Sequence, residues 1–273
     1  MMDRFKDIFE AEKPLIGVLH LAPLPGSPGF AGDLQVIKDR AVREAALLAE
    51  AGYDGLIVEN YGDLPFHKDR VDAETIAAMT LVCDAVRVAV QIPVGVNVLR
   101  NDYASALAVA AVSDLAFIRI NVLVGAFVTP EGVIEGRPGE VLRMRRRIAP
   151  EILIFADVSV KHARPLAAAT IDEDALDAVE RGKADCLIIT GPRTGEPASP
   201  EAVRAVKTRL AQERIAVPVL VGSGVGDSNV RDMLEICDGL IVGSYIRKSG
   251  RAGNEIEPER ARKLAEIKKK VEG

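Results

Sequence analysis

The groups in this sequence that could do chemistry gather where short apolar runs end. The run 15–19 (LIGVL) is followed by His20, and 55–59 (GLIVE) ends in Glu59 with Asn60 next. Asn97 falls at the end of the run that begins at Val94, and Arg119 and Asn121 close 116–121 (AFIRIN). Asp157 ends 152–157 (ILIFAD), and Thr190 ends 185–190 (DCLIIT). An imidazole, two carboxylates, a guanidinium and several amides are the groups of acid–base catalysis on a polar substrate. His20 is the group that titrates nearest neutral pH, which suits proton donation. Asp157 follows Ile152, Ile154 and Phe155 and suits proton acceptance, with Glu59 as the other strand-end carboxylate. The catalytic candidates are therefore His20, Glu59 and Asp157, with Asn60, Asn97, Arg119, Asn121 and Thr190 as substrate-binding groups. A bland alternative is that Asp157 salt-bridges Arg119 or Lys161 and ties the rim together.

The last two runs end differently. The run 217–222 continues into Ser223-Gly224-Val225-Gly226, and 239–243 ends in Gly243-Ser244. Backbone N–H groups beside glycines, followed by a helix expected to be capped at Ser228, make a cradle for an anion. Phosphate is expected at Ser223, Gly224, Gly243 and Ser244. The three histidines, His20, His67 and His162, form no H-x-H or H-E-x-x-H pattern, and the loop cluster Asp63, His67, Asp69 and Asp72 matches no metal spacing. Cys83, Cys186 and Cys237 are scattered and odd in number, as in a reducing cytosol rather than a disulfide framework. P-loop, dinucleotide and G-x-S-x-G motifs are absent, so no metal and no cofactor is predicted.

Groups spread over 273 residues converge only if the chain arranges its runs in a ring. There are eight of them, nearly all apolar, as parallel strands buried on both faces must be. Helix punctuation lies between them: Asp33 before a stretch ending at Gly52, Asp72, Ser199-Pro200-Glu201, and Pro258. This alternation predicts an α/β fold, a (β/α)₈ TIM barrel filling residues 1–273 as one domain, with its active site at the C-terminal ends of the strands. A doubly wound open sheet is the rival, but His20-Leu21-Ala22-Pro23-Leu24-Pro25-Gly26 cannot form its glycine-rich first turn. Phe5, Ile8 and Phe9 are spaced for a short helix at about 2–12 that plugs the barrel bottom. The long segment 122–138, with Gly125, Gly132 and Gly136, reads as a lid, an edge hairpin or an oligomer contact. Arg143, Arg145, Arg146 and Arg147 read as a solvated helix face or interface salt bridges, which leaves a homo-oligomer open.

Composition excludes several classes. With 48% hydrophobic and 27% charged residues the chain is not disordered. Its apolar stretches are too short to span a membrane, and no signal peptide is visible, so a cytoplasmic protein without stable membrane insertion is expected. A net charge of −5 and only 4% aromatics argue against nucleic acid as a partner.

Several stretches together resemble the BtpA family, also called BtpA/SgcQ. They are 19–28 (LHLAPLPGSP), 54–65 (DGLIVENYGDLP), 119–125 (RINVLVG), 157–163 (DVSVKHA), 184–195 (ADCLIITGPRTG) and 218–224 (PVLVGSG). The resemblance implies a TIM barrel of the ribulose-phosphate-binding kind. The family takes its name from a protein implicated in photosystem I biogenesis, peripheral to the thylakoid membrane, although other members occur where no photosystem exists. Matching motif positions include His20, Glu59, Asn60, Asp63, Arg119, Asn121, Asp157, Lys161 and His162. Thr190, Gly191, Thr194, Ser223 and Gly224 match as well. Lys161 and His162 thereby join the substrate-binding candidates. Three functions compete. The ionisable rim favours an enzyme acting on a small phosphorylated molecule, a sugar phosphate or a nucleotide-like compound. The others are a non-catalytic assembly or stability factor, and a phosphoribosylanthranilate-isomerase-like activity, for which His20 and Asp157 stand at the ends of strands one and five.

Overall fold

Aliphatic and β-branched runs buried on both faces pair side by side into parallel strands, and here they close on themselves. The computed structural model describes residues 2–272. Its barrel strands follow in chain order: Leu15–His20, Gly55–Glu59, Val94–Asn97, Phe117–Ile120, Leu153–Asp157, Cys186–Ile189, Val219–Val221 and Leu240–Val242. The eighth pairs with the first, Leu15 opposite Leu240 and Ile16 opposite Ile241, so the sheet has no free edge. Each strand lies within two residues of its predicted run.

The helices outside the barrel begin where the sequence says they should. Asp33 accepts hydrogen bonds from the backbone N–H groups of Gln35 and Val36 to start Leu34–Glu50, and Gly52 turns the chain at φ +90° after it. Ser199 caps Pro200–Gln212, with proline in the first turn. Two expectations change. Asp72 stands at its cap position but its carboxylate meets His67 at 3.2 Å instead of the helix N–H groups. Ser228 is not a cap: the helix is Val230–Ile236 and Asn229 precedes it. An amide both donates and accepts, and Asn229 uses both ends, taking the N–H of Gly226 at 2.9 Å and giving to the carbonyl of Gly224 at 3.0 Å.

The N-terminal helix is Met2–Ile8, shorter than the expected 2–12. Phe5 and Phe9 are buried against Phe155 and Phe117 under the barrel. Segment 122–138 holds a hairpin, Ala126–Thr129 against Gly132–Glu135, with Arg164–Pro165 on its other edge. Phe127 and Ile134 pack with Val122 and Val160 into a small core of their own, which anchors the hairpin. Of the four arginines, Arg145 pairs with Asp185, and Arg143, Arg146 and Arg147 are exposed. Among the described residues no helix is long and apolar enough to cross a membrane.

Candidate active site

Side chains two apart on a strand point the same way. Along the inner face Phe117 is therefore followed by Arg119, Phe155 by Asp157, Ile57 by Glu59 and Val18 by His20, so an apolar layer is topped by an ionisable one. Arg119 is the hub. Its Nε and Nη2 each donate to a separate oxygen of Asp157 at 3.0 Å, and its Nη1 donates to Glu59 Oε1 at 2.9 Å. Asn121 Nδ2 also donates to Asp157 at 2.8 Å, and Asn97 Nδ2 to Glu59 at 3.1 Å. Burial works against the charge on Arg119, but Asp157 and then Glu59 outweigh it and hold the guanidinium charged.

Lys161 lies four residues past the fifth strand and is the other cation of this layer. Its Nζ donates to the carbonyl of Gly222 at 3.2 Å. Burial, with Arg119 adding to it against the pull of Asp157 and Glu59, lowers its pKa to about 8. His20 is pushed well below its usual pKa by burial, then by Arg247 and Lys161, so its ring is neutral at pH 7. The ring leans on Tyr61, centroids 4.5 Å apart, and its Nδ1 faces the N–H of Gly253 at 3.4 Å. That bond leaves Nε2 to carry the ring proton.

Two cavities open from this layer. One, of about 270 Å³, is walled by Thr194, Gly195, the segment 222–228 and the segment 243–245. The other, of about 420 Å³, is walled by Tyr61, Leu64, Phe66, Leu99, Arg100, Pro130 and Glu131, with Asn97, Asn121 and Asp157 at its base. His20, Glu59, Arg119, Lys161 and Thr194 border both. Small residues make the first cavity possible. A Cβ on Gly243 would lie 2.9 Å from the His20 ring, and one on Gly224, at φ +66°, 2.1 Å from the Pro197 Cα. Asp227 also borders it, but its carboxylate is drawn to Lys263.

The structure thus brings His20, Glu59, Asn97, Arg119, Asn121, Asp157 and Lys161 together, with Gly224, Gly243 and Ser244 beside them. His162 borders the second cavity in a left-handed conformation, φ +55°, with Thr194 Oγ1 3.2 Å from its Nε2. Two of the expected substrate-binding side chains are engaged elsewhere. Asn60 faces away from both cavities; its amide ties the second strand to Leu99, taking its N–H at 2.6 Å and giving to its carbonyl at 3.1 Å. The Thr190 hydroxyl donates to the carbonyl of Ser159 at 2.8 Å and lies outside both cavities. The Ser223 hydroxyl meets Gly191 and Glu196, both at 2.7 Å, and Ser223 borders the first cavity, where an anion is expected on its backbone.

Sequence reading missed four contributors. Arg100, buried, and Glu131, half-buried, lie 3.7 Å apart and join the third-strand loop to the hairpin tip over the second cavity. Arg247 is fully buried, meeting Glu44 at 3.2 Å and the Val18 carbonyl at 2.7 Å, and fixes the wall behind His20. Tyr61, beside His20, stood one position beyond the residues singled out. None carries a local signal, because their partners lie far off in the chain.

Comparison with solved structures gives a TM-score of 0.58 to phosphoribosylanthranilate isomerase from Pyrococcus furiosus, at 12% identity, covering 95% of this chain and all of that one. For tryptophan synthase from M. tuberculosis the score is 0.59 at 18% identity, with 96% and 98% covered. At such identities the likeness is one of fold, a TIM barrel. Sequence relatives are nearer. An uncharacterised protein of Thermococcus kodakarensis is 45% identical, covering 95% of this chain and 96% of its own. The Photosystem I biogenesis protein BtpA of Synechocystis is 43% identical, covering 95% and 88%. A family model described as the BtpA family matches residues 11–270, and the chain belongs to that family.

Proposed function

We propose that this protein is an enzyme acting on a small phosphorylated metabolite by acid–base chemistry at the C-terminal mouth of the barrel. The observation that carries this reading is the shared border: a glycine-walled cavity and a cluster of ionisable groups meet at His20, Glu59, Arg119 and Lys161. The loops after strands seven and eight are where such barrels hold phosphate. The helix after the seventh strand has only seven residues, so the positive charge facing an anion comes chiefly from Lys161, since Asp157 and Glu59 offset that of Arg119. Arg119, held by two carboxylates, is oriented to stabilise negative charge developing on the substrate. Lys161, with its pKa lowered to about 8, can exchange a proton near neutral pH, and neutral His20 can donate a hydrogen bond. Asp157 accepts three hydrogen bonds, which casts it as the group that positions Arg119 rather than as the proton acceptor. This weakens the isomerase alternative that relied on a free Asp157. The assembly-factor reading draws its support from the name of the Synechocystis relative.

Titration calorimetry with ribose 5-phosphate tests the proposal. Wild type should bind, and Ser244→Asp, which adds a carboxylate to the cavity wall, should bind at least about tenfold more weakly. Equal binding by the two overturns it. A substitution at Gly224 would not serve, since Pro197 leaves no room for any side chain there.

A further inference from the structure

A five-carbon sugar phosphate would leave much of the mouth unused. The cavities of about 270 and about 420 Å³ adjoin along one border. Together they fall in the size range, roughly 300–1,000 Å³, of sites for drug-sized ligands. The second has a character of its own. Its upper walls carry Tyr61, Leu64, Phe66, Leu99 and Pro130, apolar surfaces that a sugar would not cover well. Its base carries Asn97 and Asn121, 1% and 7% exposed.

These two amides define what must meet them. Each Nδ2 donates to a carboxylate, Asn97 to Glu59 and Asn121 to Asp157, and an ionised carboxylate only accepts. The side-chain orientation is thereby fixed, and each Oδ1 is left as a buried acceptor without a partner. A buried acceptor without a donor is costly, so each Oδ1 calls for a hydrogen-bond donor that the protein itself does not supply. An ionised carboxylate or a keto group cannot supply one, whereas a sugar hydroxyl can. Phosphate in the first cavity, two hydroxyls at the border and a flat apolar group beyond give one outline.

We infer that the metabolite is a ring-bearing phosphoribosyl compound, with its phosphate in the glycine-walled cavity, its sugar hydroxyls on Asn97 and Asn121, and its flat ring between Tyr61, Phe66 and Pro130. The inference rests on the phosphate reading above and adds to it the identity of the remainder. Apolar and aromatic walls accept any flat ring, so the gain from the ring is expected for different rings to different degrees.

The test is calorimetry with ribose 5-phosphate, AMP, UMP and nicotinamide mononucleotide, and with 2′,3′-dideoxyadenosine 5′-monophosphate. At least one ring-bearing probe should bind about tenfold or more tighter than ribose 5-phosphate, and removing both hydroxyls from AMP should cost about tenfold or more. Leu64 is 56% exposed, so Leu64→Trp should fold and fill the second cavity. It should cancel the gain from the ring. The inference is overturned if ribose 5-phosphate binds as tightly as all three ring-bearing probes, if the dideoxy compound equals AMP, or if Leu64→Trp retains the gain. Failure of every phosphate to bind would instead overturn the phosphate reading, and this inference with it.

Discussion

Two layers of the barrel interior sit one step apart on the same strands and are held together by opposite physics. In the lower layer Phe117 and Phe155 stack, ring centroids 4.3 Å apart and 14° from parallel, and Phe9 closes over them from the N-terminal segment. In the upper layer the residues two further along, Arg119 and Asp157, form a two-pronged ion pair. The strand register that brings the rings together also brings the charges together. The lower layer gains from removing apolar surface from water and asks only for volume, which Gly95 supplies: a Cβ there would lie 2.3 Å from the Phe117 ring. The upper layer gains little from burial itself, because the cost of stripping water from charges offsets their attraction. Its geometry is kept by hydrogen bonds to fixed partners, and its amides at Asn97 and Asn121 keep acceptors unmatched. A stability layer thus fills its space, whereas a site layer leaves bonds open.

The comparison can be broken or sharpened by experiment. The largest effect is expected in the lower layer. Phe155→Ala should cost about 4 kcal/mol in urea unfolding, the range for deleting a buried ring, while leaving ribose 5-phosphate affinity within about threefold of wild type. A large loss of affinity in a folded Phe155→Ala would show that the layers are not separable. Next is Arg119→Met, which strands two buried carboxylates; about 3 kcal/mol of stability should go, and phosphate binding with it. A cost below about 1 kcal/mol would mean that water reaches the cluster freely. The smallest effect is on reactivity at Lys161. Pyridoxal 5′-phosphate followed by borohydride should label Lys161, and labelling should be half-maximal near pH 8, because the neutral amine attacks and the folded pKa is lowered to about 8. Ribose 5-phosphate should protect it. Labelling that rises only towards the ordinary lysine range, about 10.4, would place Lys161 in water rather than in the cluster.

Much of this was legible beforehand because each strand is a local statement. A run such as ILIFAD tells that it is buried on both faces and where its apolar stretch stops, so the eight strands, their order and the end of the barrel where the ionisable groups gather could be read directly. Asp33, Ser199 and Pro258 marked helix starts for equally local reasons. Which strand-end group faces the mouth was a different matter. Asn60, Thr190 and Ser223 look the same in sequence as Asn97 and Asn121, yet the first three spend their side chains on neighbouring loops. The sequence by itself determined the layered barrel, since periodicity and apolar content act over a few residues. Only the tertiary structure decided that Lys161 reaches back to Gly222, that Arg119 takes both carboxylates, and that two amide oxygens are left waiting. Those outcomes depend on distances between segments 36 to 61 residues apart in the chain, which strand closure sets and no local pattern encodes.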